Sequence, residues 1–294
     1  MNAVVVALIG LGEVGRILAE ELPAATVRLT CFDTAFVDPG SAASRNLTEL
    51  GVARAADTAD AVRDADLVVS AETAGHDLMV AQAVAGGLRP GAWFVDLNSA
   101  SPQQKQASAH VVEDAGGRYV EGAVMAPVEP RRLGVPLLLG GPHAEQFAPV
   151  ARALGFTDLR VFADTVGPAA ATKLCRSVVV KGVETLVTEA LLAARVWGVE
   201  RDVLDSLSSL VPAEDWEALA AYLISRSVQH GARRAEEMSE AAVTVAETGL
   251  SPVMALATIE RQRWAAGRIP IGADDSLNAL LDGLRPKTTA GAQP

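Results

Sequence analysis

Cysteine and lysine are both scarce in this chain of 294 residues. The two cysteines, Cys31 and Cys175, are far apart and form no metal-binding or disulfide spacing. Only four of the 25 basic residues are lysines, so a lysine within an apolar helical segment is unusual here. The sequence therefore predicts no metal site and directs attention to its few lysines.

Long apolar runs and an excess of positive charge are also absent. No run reaches the length of a membrane span, and the N-terminus lacks the basic segment of a secretory signal. A formal net charge of −11 disfavours nucleic acid or an anionic membrane as a partner. We therefore expect a cytoplasmic protein that acts on a small molecule.

A glycine-rich turn follows the first apolar segment. The segment Val4–Ile9 is typical of a parallel strand buried on both faces, and Gly10-Leu11-Gly12-Glu13-Val14-Gly15 comes directly after it. This is the dinucleotide-binding spacing, in which the glycines make the turn, admit a pyrophosphate and allow the following helix to pack. That helix, predicted over 16–22, would present its positive N-terminal end to the phosphates. A turn that binds nothing is the alternative.

The end of the second predicted strand bears on the choice of cofactor. Asp33 follows Val27–Phe32 and can accept hydrogen bonds from an adenosine ribose, while repelling a 2′-phosphate. No arginine follows directly, since the next residue is Thr34. We therefore expect NAD to be preferred over NADP, with Asp33 and Thr34 near the ribose. An aspartate that merely ends a strand is the alternative.

Strands and helices alternate through the first half of the chain, which predicts a doubly wound, mostly parallel sheet of the Rossmann type. Further strands are expected over 67–70, 93–97, 119–124, 137–139 and 159–162, with helices over 57–63, 78–85 and 144–153 and from 103 onwards. No strand pattern remains after residue 168. Helices are expected there over 169–196, 201–210, 213–227, 231–248, 252–266 and 274–284.

These elements predict an α/β dinucleotide-binding domain over 1–165 and an all-α domain over 166–286, joined by a long interdomain helix. Residues 287–294 are predicted to be a disordered tail. Ligands of such sheets bind beyond the carboxyl ends of the strands. Ala71, Glu72 and Asn98 are therefore predicted to contact the cofactor, together with the turn.

The predicted interdomain helix carries two of the lysines. Lys173, Ser177 and Lys181 are four residues apart and share one helix face. A desolvated lysine can exchange a proton with a substrate at neutral pH. Two lysines that face water are the alternative.

Several motifs resemble those of the β-hydroxyacid dehydrogenases, the superfamily of 3-hydroxyisobutyrate and 6-phosphogluconate dehydrogenases. The similarity rests on the glycine turn, on the stretches 96–102 and 138–141, and on Gly167 six residues before Lys173. The resemblance implies a nicotinamide cofactor, a helical C-terminal domain, a homodimer and a substrate cleft between the domains. It also implies that Lys173 is the catalytic acid/base.

The substrate motifs depart from the family pattern. Its Asp-x-Ser-Thr stretch is Asp96-Leu97-Asn98-Ser99 here, its glycine-rich substrate loop is replaced by 123–127, and its asparagine four residues after the lysine is a serine. A remodelled pocket is expected. Its predicted contacts are Ser99, Ala100, Met125, Ser177 and His230.

The favoured function is an NAD(P)-dependent dehydrogenase or reductase acting on a small β-hydroxyacid-like substrate. An imine reductase-like enzyme is one alternative, although a tyrosine or aspartate commonly replaces the lysine in those enzymes. A nucleotide-binding protein with lapsed catalysis is another. For His230, which lies three residues before Arg233, a solvated polar face is the alternative to a substrate contact.

Overall fold

A computed structural model describes residues 3–207, 215–270 and 276–285 of the chain. Two compact units are present, Met1–Leu174 and Cys175–Pro294. The division falls within a long helix, Pro168–Trp197, whereas the sequence placed the domain boundary near residue 165, just before that helix.

One eight-stranded sheet forms the centre of the first unit. Its strands are β1 (Val4–Ile9), β2 (Val27–Phe32), β3 (Ala53–Arg54), β4 (Leu67–Ser70), β5 (Trp93–Asp96), β6 (Arg118–Val124), β7 (Leu137–Gly140) and β8 (Leu159–Ala163). They lie in the order β3-β2-β1-β4-β5-β6-β7-β8 and pair in parallel, except that β6 and β7 are antiparallel. The predicted doubly wound, mostly parallel sheet is confirmed.

Helices cover both faces of this sheet. They are α1 (Glu13–Glu21), α2 (Ala42–Leu50), α3 (Thr58–Val62), α4 (Asp77–Ala85), α5 (Pro102–Asp114) and α6 (Ala144–Ala153), with short 3₁₀ turns at Thr34–Val37, Ala74–His76 and Arg132–Gly134. Successive side chains of β1 enter opposite cores, because a strand alternates its faces. Val6 and Leu8 belong to one core, and Ala7 and Ile9 to the other.

Helix α2 and the short strand β3 were not predicted from the sequence. Both ends of α2 have ordinary sequence signals. Ser41 accepts a hydrogen bond from the backbone N–H of Ser44 at its start, and Gly51 closes it in the left-handed region with φ +62°. Strand β3 has only two residues, which is too short to produce a hydrophobic pattern.

The second unit is all-helical, as predicted. After α7 (Pro168–Trp197) come α8 (Glu200–Leu207), α9 (Trp216–Ala246), α10 (Val253–Ala265) and α11 (Leu277–Leu284). Leu191, Ile224 and Leu281 lie in its core, and each is almost fully buried. None of the helices in the described ranges combines the length and apolarity needed to cross a membrane.

One helix, α9, replaces the two predicted over 213–227 and 231–248. The predicted break fell next to Gly231, but this glycine lies inside the helix, against α10. A Cβ at Gly231 would lie 2.4 Å from the backbone oxygen of Gln262. The glycine therefore permits close helix packing and does not end the helix.

Three predicted helices and the predicted tail extend beyond the described residues. Residues 208–210 of the helix predicted over 201–210, residues 213–214 of the next one, and residues 274–275 before α11 lie outside the described residues. The predicted tail over 287–294 does so as well.

Candidate active site

The three glycines of the turn after β1 have different surroundings. Gly10 has φ +98°, and a Cβ there would lie 2.5 Å from the backbone oxygen of Ala71. A Cβ at Gly15 would lie only 2.0 Å from the backbone oxygen of Gly10, whereas one at Gly12 would meet no atom within 4 Å. Gly10 therefore allows the turn, Gly15 allows α1 to pack, and Gly12 leaves open space beside the turn.

Two side chains hold the backbone of Leu11 within this turn. Its N–H donates to Oδ2 of Asp33 at 2.8 Å, and its carbonyl accepts from Nδ2 of Asn46 at 2.8 Å. The other Asp33 oxygen accepts the N–H of Ala35 at 2.8 Å. Asp33 is thus buried and structural at this turn, and Asn46 of α2 is a residue that sequence reasoning missed.

The residues after β4 close over the glycine turn. The carboxyl carbon of Glu72 would lie 3.3 Å from a Cβ at Gly10, and the Glu72 N–H donates to Oδ1 of Asn98 at 2.6 Å. Burial, together with the negative charge of Asp33, raises the pKa of Glu72 to about 7. The predicted cofactor residues Ala71 and Glu72 therefore lie at the turn.

Asn98 connects the ends of two neighbouring strands. It is buried, and its Nδ2 donates to Oγ of Ser70 at 2.9 Å and to Oδ1 of Asp77 at 2.8 Å. Its amide is therefore engaged by β4, α4 and the Glu72 backbone. Its predicted contact with the cofactor stays a prediction.

A cluster of buried charges lies behind Asn98. Nζ of Lys105 is 2.6 Å from Oδ1 of Asp96 and 3.9 Å from Oδ1 of Asp77, and all three side chains are about 1% exposed. The Tyr119 hydroxyl donates to Oδ2 of Asp96 at 2.6 Å. Only Asp96 was singled out from the sequence, through a motif match, and the rest of the cluster has no sequence signal because its members come from four separate elements.

The cluster has two carboxylates for one ammonium. When all three groups are ionised, one negative charge is uncompensated in a buried setting. Burial and the nearby Asp77 carboxylate raise the pKa of Asp96 to about 7, against the opposing effect of Lys105. Asp96 is therefore the group that takes up a proton.

Lys173 lies against Ser99, just beyond the end of β5. Its Nζ donates to Oγ of Ser99 at 2.6 Å, and both side chains are half-buried. The buried carboxylate of Glu121 fixes the start of α7 by accepting the N–H groups of Gly167 at 2.9 Å and Ala170 at 2.6 Å. A carboxylate at a helix N-terminus is stabilising. Glu121, which sequence reasoning also missed, thereby positions the first turns of the helix that carries Lys173.

The other predicted residues of the first unit are more scattered. Ala100 is fully buried, and the Met125 N–H donates to the Pro136 carbonyl at 2.9 Å while its side chain packs against Ala123, Leu138 and Ala169. Thr34 begins a 3₁₀ turn, and Glu13 and Val14 form the first turn of α1.

Ser177 and His230 belong to the second unit. Oγ of Ser177 accepts from Nζ of Lys181 at 3.1 Å, and that Nζ lies 2.6 Å from Oε2 of Glu237. Nε2 of His230 is 2.7 Å from Nη1 of Arg226. Lys181 is buried, contrary to the alternative of a lysine in water, and this burial lowers its pKa although Glu237 opposes the shift.

Two family models match the chain. The NAD binding domain of 6-phosphogluconate dehydrogenase matches residues 5–157, slightly more than half of the chain. A domain of unknown function, DUF1932, matches residues 194–265 in the second unit. The matched ranges follow the order predicted from the sequence, a nucleotide-binding domain and then a helical one.

Solved structures are similar over almost the whole length. A conserved hypothetical protein from Sinorhizobium meliloti 1021 is 36% identical, with 96% of this chain and 95% of that chain covered and a TM-score of 0.74. The conserved protein MTH1747, described as structurally similar to 3-hydroxyacid dehydrogenases, is 27% identical, with 95% and 98% covered and a TM-score of 0.67.

More distant structures share the fold alone. The 3-hydroxyisobutyrate dehydrogenase of Mycobacterium tuberculosis, solved with L-serine, is 19% identical, with 97% of this chain and 100% of that chain covered and a TM-score of 0.72. Imine reductases at 22% and 19% identity have the fold too, with TM-scores of 0.56 and 0.53.

Replacing Gly15 by alanine should destabilise the protein more than the same change at Gly12, where the only expected cost is that of alanine at an N-cap. The Gly15 methyl would collide with backbone, and overpacking of this kind typically costs about 1–3 kcal/mol. Thermal unfolding of Gly15→Ala, with Gly12→Ala as the matched control, measures the difference. Equal melting temperatures for the two variants would contradict the packing role given to Gly15.

The Asp96→Asn variant should lose part of the pH dependence of stability. The pKa of Asp96 rises from an ordinary value of 3.8 in the unfolded chain to about 7 in the folded one. Between these pH values the folded protein keeps a proton on Asp96 that the unfolded chain releases. The contribution of Asp96 to the free energy of unfolding therefore falls as pH rises through this range. Glu72 contributes in the same direction and is unchanged in the variant.

Urea unfolding at about pH 5 and about pH 7.5 tests this. The loss of stability between the two pH values should be smaller in Asp96→Asn than in wild type. The exposed Asp64→Asn change is the control and should behave as wild type. An undiminished pH dependence in Asp96→Asn would show that Asp96 is not the group that titrates.

Proposed function

We infer that this chain, which belongs to the family of the NAD binding domain of 6-phosphogluconate dehydrogenase, is an oxidoreductase that moves a hydride between a nicotinamide and a small β-hydroxyacid-like substrate. The carbon that gains or loses hydride is a carbinol or carbonyl carbon. The observation that carries the proposal is the 2.6 Å contact of Lys173 Nζ with Ser99 Oγ, beyond a strand end in the unit that bears the glycine turn. The assignment of the first unit as a dinucleotide-binding domain rests on the family match.

The residues of the turn fit a dinucleotide. Gly12 is the N-cap of helix α1 and supplies no side-chain cap, and the N-terminal end of such a helix directs backbone N–H groups and a positive dipole toward a pyrophosphate. We propose that 10–15 hold the pyrophosphate and that Asp33 and Thr34 lie at the adenosine ribose, with NAD preferred. Ala71, Glu72 and Asn98 would line the remainder of the cofactor site. When bound, the nicotinamide supplies the hydride chemistry.

We propose that Lys173 moves the proton that accompanies the hydride. In oxidation its neutral Nζ would accept the proton of the substrate hydroxyl, and in reduction its ammonium would return it. Ser99 would hold the reacting oxygen, since its hydroxyl already lies at hydrogen-bond distance from Nζ. Ala100, Met125, Ser177 and His230 stay predicted substrate contacts.

An imine reductase is the second candidate, because imine reductases share the fold. A lysine at the proton-transfer position favours alcohol and carbonyl chemistry. A panel of 3-hydroxyacids and cyclic imines, each with NAD(H) and NADP(H), distinguishes the two by the absorbance of the reduced nicotinamide. Cofactor binding without turnover of any panel member would favour lapsed catalysis.

Replacing Lys173 by alanine should lower turnover of an active panel member at least about a hundredfold, because general acid–base help is worth about 10²–10⁴-fold. Lys173→Arg is the matched variant. It keeps a positive charge but cannot release a proton near neutral pH, so it should be almost as slow. The dissociation constant of NADH, measured by fluorescence titration, should change little in both variants.

A primary amine added to Lys173→Ala should restore part of the lost rate if the missing group is a proton carrier. Normal turnover by Lys173→Ala at every pH from about 6 to about 10 would rule out the acid/base role. Lys181 is an unsuitable control, since its replacement would also remove the 2.6 Å ion pair that this buried lysine makes with Glu237.

We also propose a homodimer formed through the second unit. Helix α7 exposes Val179, Val183 and Leu186, at 66%, 40% and 56% exposure, with the spacing of one apolar stripe. Contiguous exposed apolar surface of this kind is typical of subunit interfaces.

Sedimentation equilibrium at micromolar concentration should therefore give twice the chain mass of 30.5 kDa. Val183→Glu combined with Leu186→Glu should shift the protein to monomer, whereas Val37→Glu, an exposed position of the first unit, should not. A monomeric wild type, or a dimer unaffected by the double change, would contradict this interface.

A further inference from the structure

An arginine lies near the adenosine end of the proposed site, although none directly follows Asp33 in the sequence. Strand β3 pairs in parallel with β2, which places Arg54 opposite Cys31. Asp33 is two residues beyond Cys31 in the sequence. The fold therefore brings a cation from a neighbouring strand to the end of β2, which the spacing along the chain does not reveal.

The guanidinium of Arg54 lies on a fixed aromatic surface. Its central carbon is 5.3 Å from the centre of the Phe36 ring. Phe36 is itself buried and meets Phe32 edge-on, with ring centres 6.4 Å apart. A cation–π contact with a buried ring favours guanidinium positions over that ring. Arg54 is nevertheless exposed, and its side chain forms no hydrogen bond or ion pair within the described ranges.

Asp33 and Arg54 place opposite charges near Cys31, at the end of β2. Burial and the Asp33 carboxylate raise the pKa of the Cys31 thiol to about 11, while Arg54 opposes that shift. Asp33 is only 7% exposed, and each of its oxygens already accepts a backbone N–H. At this end of the site, the exposed charge is therefore the positive one.

We propose that Arg54, held on Phe36, binds a phosphate on the 2′ carbon of the adenosine ribose, so that the chain accepts NADP alongside the preferred NAD. A planar guanidinium with free N–H groups is suited to bidentate contact with a phosphate. Asp33 opposes the same phosphate and keeps NAD ahead. The proposal rests on the proposed dinucleotide site, and it names the residue that widens its cofactor range.

The test uses fragments that need no substrate. Isothermal titration calorimetry compares 2′,5′-ADP, which carries the 2′-phosphate, with 5′-AMP, which lacks it. Arg54→Gln should weaken the binding of 2′,5′-ADP about tenfold or more, as expected for lost charge-assisted hydrogen bonds. The same variant should change 5′-AMP binding less than about twofold, because the 2′-hydroxyl carries no charge. Arg54→Lys should fall between wild type and Arg54→Gln for 2′,5′-ADP.

Two outcomes would overturn the proposal while leaving the dinucleotide site intact. An equal loss for both fragments would mean that Arg54 supports the adenine and does not recognise the phosphate. Unchanged binding of 2′,5′-ADP in Arg54→Gln and Arg54→Lys would mean that the guanidinium only packs on Phe36. If wild type bound neither fragment nor NADH and NADPH, the dinucleotide site itself would be refuted, and this proposal with it. Melting temperatures of the variants check that they are folded.

Discussion

The ammonium of Lys105, enclosed between the carboxylates of Asp77 and Asp96, is the interaction on which the geometry of the candidate site depends. Removing the ammonium would leave two buried carboxylates without a counter-charge, which is far costlier than losing a surface ion pair. Asp77 also accepts from Asn98, and Asn98 in turn holds the Glu72 backbone. The position of the loops after β4 and β5 therefore follows from a buried electrostatic balance.

The atoms proposed to meet cofactor and substrate are held by residues that lie behind them. Asp33 and Asn46 hold the Leu11 backbone, and Glu121 holds the first turn of the helix that carries Lys173. Each support is a hydrogen bond between a polar side chain and the backbone in a buried setting, where such a bond is strongly favoured over an unpaired group. Buried hydrogen bonds therefore hold the glycine turn and the start of α7 in place.

The second unit distributes its charges in an unusual way. On α7, Lys181 and Glu184 are 8% and 2% exposed, whereas Val179 and Leu186 are 66% and 56% exposed. Glu184 pairs with Arg234 and also accepts from Gln262, so the buried charge is compensated inside the unit. The apolar residues left outside are those that we assign to a second copy of the chain.

The sequence by itself determined the local elements and their order. Apolar β-branched runs such as Val4–Ile9, glycine spacing and helix periodicity depend on neighbours along the chain, so they predicted the doubly wound sheet, the glycine turn and the all-helical second half. They also singled out Lys173, although only its match to a family motif separated it from Lys181. Only the tertiary structure decided which distant residues meet. It placed Lys105 between Asp77 and Asp96, Glu121 at the start of α7, Asn46 on the turn and Arg54 opposite Cys31, because each of these pairings joins elements many residues apart. Gly231 was predicted from the sequence to lie at a helix break, but it is a packing contact against α10. That role exists only once the two helices lie side by side.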